Sequence, residues 1–135
     1  HRHRGTRGLL GQPDFTSADE WPYGPHTSDR FRFPYAVCLG GQERSDSGKD
    51  TDEQRLAIAD TANNRVLVWD RVETAFSGDA NQVIGQPDLA ANGENRWDAV
   101  GADTLCWPYG LSWHGDLLAV ADSGNNRVVL WERTP

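Results

Sequence analysis

Methionine is absent from all 135 residues, position 1 included. Such a chain is expected to be trimmed or cut from a longer product, with any targeting signal lost in the process. Lysine occurs once, at Lys49, and the formal charge is −7. That balance argues against the basic surface a nucleic-acid binder uses, with the short tail 1–7 (His1, Arg2, His3, Arg4, Arg7) as a local exception. No apolar run approaches the roughly 18 residues of a membrane-spanning helix. The opening "HRHRGTRG" has no apolar core behind it, so it does not read as a signal peptide. The expected location is therefore cytoplasmic. The two cysteines, Cys38 and Cys106, form no CxxC and no Cys/His cluster, which argues against structural zinc. Cys38, inside "YAVCLG", reads as a buried small hydrophobe. Spacing alone leaves open whether the two pair. No segment keeps a 3.6-residue apolar period, so almost no helix is expected.

What the chain does have is a repeat. "ADTANNRVLVWD", residues 59–70, returns as "ADSGNNRVVLWE", residues 121–132. Upstream, "LLGQPDF" (9–15) matches "VIGQPDL" (83–89), and "FPYAV" (33–37) matches "WPYGL" (107–111). Both of these pairs are 74 residues apart, whereas residues 56–71 match 118–133 at 62. The offset falls because the first copy carries an insertion, "GGQERSDSGKDTDEQ" (40–54), where the second has "HGD". The chain thus divides into a tail, 1–7, a first unit, 8–72, and a second unit, 73–135. Internal repeats of this length suggest solenoids or propellers.

Each copy reads as short strands. "FPYAVCLG" and "WPYGLSWH" open with proline, which a strand start tolerates. "RLAIAD" and "LLAVAD" alternate moderately, and "RVLVWD" and "RVVLWE" are rich in β-branched and aromatic residues. "NQVIGQPD" supplies a further strand, with residues 8–14 as its counterpart at the start. Four antiparallel strands per repeated unit describe a propeller blade. The chain would hold two such blades, opening with an orphan fourth strand and ending on a blade that lacks one. Two blades cannot close a ring, since propellers need roughly 4–8. Missing chain, another protein, or further copies would have to complete it, and three copies would make six blades.

The turn between the middle strands has a structural reading. Asp60 and Asp122 follow small alanines, Asn63 and Asn125 sit within the turn, and Arg65 and Arg127 begin the next strand. Aspartate and asparagine bond nearby amides and tolerate turn dihedrals. Each arginine can pair with a turn aspartate. Trp69 and Trp131 read as packing between units.

The set Pro108, Tyr109, Gly110, Asp122, Asn125 and Arg127 resembles the NHL repeat, a Pro-Tyr-Gly strand followed by an Asp-x-x-Asn-x-Arg turn. The first copy offers Pro34, Tyr35, Asp60, Asn63 and Arg65, with Ala36 in place of the glycine. The resemblance implies an all-β propeller whose loop-lined face binds other proteins. Bacterial NHL proteins with "GQPDF"-like repeats further resemble those encoded beside [NiFe] uptake hydrogenases, which implies an accessory subunit of a redox complex.

Candidate contact residues lie in the long connections 15–32 and 89–106: Trp21, Pro22, Tyr23, His26, Arg96 and Trp97. Long loops carry function disproportionately, and exposed aromatics and arginine suit protein interfaces. Folding back to cap the sheet is the competing reading for Trp21 and Trp97. Strand alternation puts these loops on the same side as the Asp-x-x-Asn turns, with the acidic insertion 40–54 opposite. The insertion lacks the order of a calcium loop and reads as a solvated connection.

Two other functions are weighed against protein binding. Some NHL-like propellers are metal-dependent lyases that use several histidines, but only His1, His3, His26 and His114 are present, in no H-E-x-x-H pattern. No nucleophile motif points to another enzyme. RNA binding, as in NHL domains with a basic face, conflicts with the acidic balance. The expectation is a non-catalytic protein-binding module without cofactor or metal, working as a homo-oligomer or as a subunit of a larger complex.

Overall fold

The computed structural model of the chain describes residues 5–6, 8–20, 29–40 and 54–133. Most of the tail, most of the insertion and four expected contact residues (Trp21, Pro22, Tyr23 and His26) lie outside them. The described residues form seven strands: β1 Pro34–Gly40, β2 Arg55–Asp60, β3 Arg65–Trp69, β4 Gln82–Ile84, β5 Pro108–His114, β6 Leu117–Asp122 and β7 Arg127–Glu132. They make two antiparallel sheets, ordered β1-β2-β3-β4 and β5-β6-β7. The fold is all-β, and helix among the described residues is limited to short 3-10 turns. No helix among them is long and apolar enough to cross a membrane.

The repeat is reproduced residue by residue. β1 opposes β2 from Pro34↔Asp60 to Gly40↔Arg55, and β5 opposes β6 from Pro108↔Asp122 to His114↔Leu117. Both pairs slip at the same point, between Pro34 and Ala36 and between Pro108 and Gly110. The 3-10 turn after Asp60 ends on Asn64 at φ 54°, and the turn after Asp122 on Asn126 at φ 56°. Both are left-handed, a conformation asparagine tolerates better than most residues. Gly124 answers a different need. A Cβ there would meet the Cys106 Sγ at 2.5 Å and the Cys106 carbonyl oxygen at 2.6 Å.

The two sheets differ in how they are covered. Every residue of β2 and β3 is buried, whereas β6 and β7 each alternate between more and less covered positions. One face of the first sheet, with Ala57, Val66, Val68 and Ile84, packs on Leu105, Leu118 and Val120, and Trp113, Val129 and Trp131 close the contact. Its other face, with Leu56, Ile58, Leu67 and Trp69, lies under Leu10, Phe31, Val72 and Leu89. The second sheet has only its inner face covered, so Val128 and Leu130 are 66% and 62% exposed.

Polar bonds join the sheets above this apolar layer. Asn64 donates Nδ2 to the Asn92 carbonyl at 3.1 Å and accepts the Trp107 amide at 2.8 Å. Its own carbonyl accepts Gln86 Nε2 at 2.9 Å. Thr61 donates to the Pro108 carbonyl at 2.6 Å, and Arg65 Nη1 to the Leu89 carbonyl at 2.7 Å.

Two expectations change. Leu9–Gly11 forms no strand, because it does not lie along the open edge of either sheet; Leu10 packs instead on the outer face of the first sheet. Cys38 is partly exposed, since β1 is an edge strand covered on one side, and both cysteines are free thiols.

Candidate functional site

The two Asp-x-x-Asn-x-Arg turns are closed clusters. Asp60 Oδ1 accepts the Arg32 amide at 2.7 Å, and its Oδ2 accepts Asn63 Nδ2 at 2.8 Å and Arg65 Nε at 2.9 Å. Asp122 repeats this with the Cys106 amide at 2.8 Å, Asn125 Nδ2 at 2.8 Å and Arg127 Nε at 2.7 Å. Each arginine thus pairs with the aspartate of its own turn. Arg65 and Asp60 are wholly enclosed, while the Arg127 side chain keeps 30% of its exposure.

Enclosure raises the Asp60 carboxyl above its ordinary range, because lost hydration outweighs the Arg65 charge and the donated hydrogen bonds. Folding therefore favours the protonated acid relative to the unfolded chain. The group's contribution is largest below the ordinary pKa of 3.8 and falls as pH rises through the folded value. In both clusters the aspartate and arginine bond within the fold. The Cys106 thiol is likewise pushed up, by burial first and then by the Glu94 and Asp122 charges. That is the reverse of what activates a nucleophile.

The connection from β4 to β5 is different. It contains a short turn, Glu94–Trp97, in which Asn95, Arg96 and Trp97 have φ of 48°, 57° and 59°. Consecutive left-handed residues without glycine cost on the order of 1–2 kcal/mol each, and they persist only where the surroundings impose them. Here an amide clasp does so. Asn95 Nδ2 donates to Asn125 Oδ1 at 3.0 Å, and Asn125 Nδ2 donates back to Asn95 Oδ1 at 2.7 Å. Thr104 adds a bond to Asn95 Oδ1 at 3.0 Å, and the Asn95 amide reaches the Leu105 carbonyl at 2.9 Å. Arg96 Nη2 donates to the Asp103 carbonyl at 3.1 Å. Trp97 emerges 75% exposed, although its indole lies over Gly93.

The structure therefore sets the partly covered Arg96 beside the exposed Trp97 in one turn, tied by Asn95 to the second turn cluster. Sequence reasoning singled out Asn125 but not Asn95, its partner across the clasp. By the repeat, the residue matching Asn95 is Trp21, and Asn63 Oδ1 meets no donor among the described residues.

An open cleft of about 550 Å3 lies between Leu9–Pro13, Asp29–Arg30 and Ala75–Asp79. No histidine or cysteine lines it. Among the described residues no group of three histidine, cysteine or acidic side chains is placed to hold a metal ion. The one described histidine, His114, ends β5 on the exposed side. No protein-family model matches the chain, and no curated protein matches its sequence.

Proposed function

We propose that the chain is a non-catalytic module of two β-propeller-type repeats of the NHL kind, binding another protein through the face that carries Arg96 and Trp97. The observation that carries this reading is the strained, clasped turn that leaves Trp97 75% exposed beside an Arg96 side chain that keeps 32% of its exposure. Backbone strain of this sort concentrates at binding sites, and tryptophan and arginine dominate the energetics of protein interfaces. The matched registers of the two sheets, together with the Pro-Tyr and Asp-x-x-Asn-x-Arg positions, support the propeller reading of the fold. Within it, the "GQPDF" resemblance points to an accessory subunit of a larger redox assembly. Trp21, Tyr23 and His26 extend the same candidate surface by sequence.

Capture from a cell extract, followed by binding measurements with the purified partner, tests the assignment. The variants are Arg96→Asn and Trp97→Asn, chosen because asparagine tolerates the left-handed backbone. The double variant should melt with the wild type and bind at least about 30-fold more weakly, the loss expected when an interface hot spot goes. Equal affinity for the same partner would remove these residues from the interface.

A further inference from the structure

We propose that a second copy of this chain docks head to tail on the open face of the β5-β6-β7 sheet, with its Gly8–Leu10 segment pairing along β7. This rests on the repeat reading above and names one partner of the module. The Asn64, Thr61, Arg65 and apolar contacts between the two sheets have matching residues at the two ends of the chain, whereas the Arg55–Asp116 ion pair does not, since Leu117 stands where the first unit has Arg55.

Asn64, the plug of the internal interface, is 1% exposed, whereas its counterpart Asn126 has the same left-handed backbone but stands in solvent. The socket for Asn64 is the Asn92 carbonyl, the Trp107 amide and Gln86 Nε2. The matching socket is Ala18, Phe33 and Gln12, which face no such plug among the described residues. Thr61, which donates to the Pro108 carbonyl, becomes Ser123 opposite Pro34; Pro108 is buried and Pro34 exposed. Arg65 Nη1 reaches the Leu89 carbonyl, and the same step places Arg127 Nη1 on the Phe15 carbonyl of the next copy. In backbone register, Val66↔Ile84 and Leu67↔Val83 become Val128↔Leu10 and Val129↔Leu9.

The first socket already has the right shape. Gly11 sits at φ 96° and its counterpart Gly85 at φ 95°. Gln12 Nε2 holds the Asp19 carbonyl at 2.8 Å as Gln86 Nε2 holds the Gly93 carbonyl at 2.7 Å. Asp14 and Asp88 accept the same amide two residues on, at 3.0 and 2.9 Å. The segment thus keeps the form of the turn that follows β4, while the residues before it form no strand.

The apolar surfaces agree. Val128 and Leu130 correspond to Val66 and Val68, which are fully buried between the sheets. At the other end Tyr35, Val37 and Leu39 are 63%, 67% and 51% exposed. They correspond to Tyr109, Leu111 and Trp113, of which Leu111 and Trp113 pack into that same interface. Exposed apolar rows at both ends, each matching one half of a formed contact, call for a heterologous interface and not a twofold one. The β7 edge, unpaired among the described residues, adds a strand-pairing site between them.

Light scattering on the eluting 135-residue chain tests this. The wild type should elute at a whole multiple of the single-chain mass. Leu130→Arg blocks only the trailing face, and Val37→Arg only the leading one. Both positions are exposed within one copy, so each variant should fold and run as a single chain. Mixed in equal amounts, they should form a one-to-one dimer through the one intact pair of faces. Asn126→Gly, which keeps the left-handed backbone and loses the plug, should also shift the wild-type particle toward single chains and serves if an arginine variant misfolds. A wild type of single-chain mass, variants that keep the wild-type mass, or a mixture that stays monomeric would each overturn the proposal. Binding at Arg96 and Trp97 is read separately in the capture assay, so either idea can fail alone.

Discussion

Asp60→Asn is expected to destabilise the chain by about 3–5 kcal/mol, the range found when one partner of a buried ion pair is removed. The same change at Asp122 should cost only about 1–2 kcal/mol, as for an ordinary buried hydrogen-bond network. The two carboxylates have matching donors, so the difference lies in their arginines. Arg65 is fully enclosed and Arg127 is 30% exposed. An amide at position 60 sets its NH2 group against either the Arg32 amide or the Asn63 and Arg65 donors, and it takes the Asp60 carboxylate away from a guanidinium that is fully enclosed. At position 122 the guanidinium can turn to solvent. The loss at Asp60 is the cost of breaking the pair and not its net worth, which the raised carboxyl already marks as small. Urea unfolding of the two variants checks the order, and equal losses would mean that Arg65 finds water on mutation.

Gly85→Ala is expected to cost about 3 kcal/mol or more, adding a left-handed strain of about 1–2 kcal/mol to overpacking of about 1–3 kcal/mol. Its φ is 95°, and a Cβ there would lie 2.7 Å from the Leu105 Cγ and 2.9 Å from the Leu105 Cβ. Those atoms are fixed to the backbone of a residue that is 1% exposed, so nothing swings aside. Gly11→Ala, with φ 96°, meets the edge of the Phe31 ring, which can rotate away. It should cost about 1–2 kcal/mol, the backbone part alone. Thermal melts of the two variants separate the packing contribution from the backbone one. Equal shifts would show that Leu105 yields as easily as Phe31.

Much of this architecture is legible in the chain. β3 and β7 announce themselves as Arg-Val runs ending in tryptophan, and the two aspartate turns follow from residue type. Leu9–Gly11 looks like Val83–Gly85 in sequence, but a strand exists only where an edge receives it, and no local pattern encodes that. The left-handed tip at Asn95–Trp97 escapes for a related reason. It contains no glycine, so its conformation comes from Asn125 and Thr104 across space. Asn64 and Asn126 were visible only as the second letter of a doubled Asn-Asn. The first asparagine closes the turn, and at Asn64 the second bonds across to the Trp107 amide at the start of the other sheet.

The turn that closes β5 onto β6 carries a consequence for the order of assembly. Only Gly115 and Asp116 separate those strands, whereas fourteen residues separate β1 from β2. Closing the longer connection costs roughly 2 kcal/mol more in chain entropy. The C-terminal hairpin should therefore nucleate folding, with the N-terminal sheet condensing on the apolar face it offers. Conservative truncations at Leu118 and Val120 should slow refolding nearly in proportion to the stability they remove, and those at Leu56 and Ile58 should mainly speed unfolding. The reverse pattern in stopped-flow refolding would place the nucleus in the first sheet.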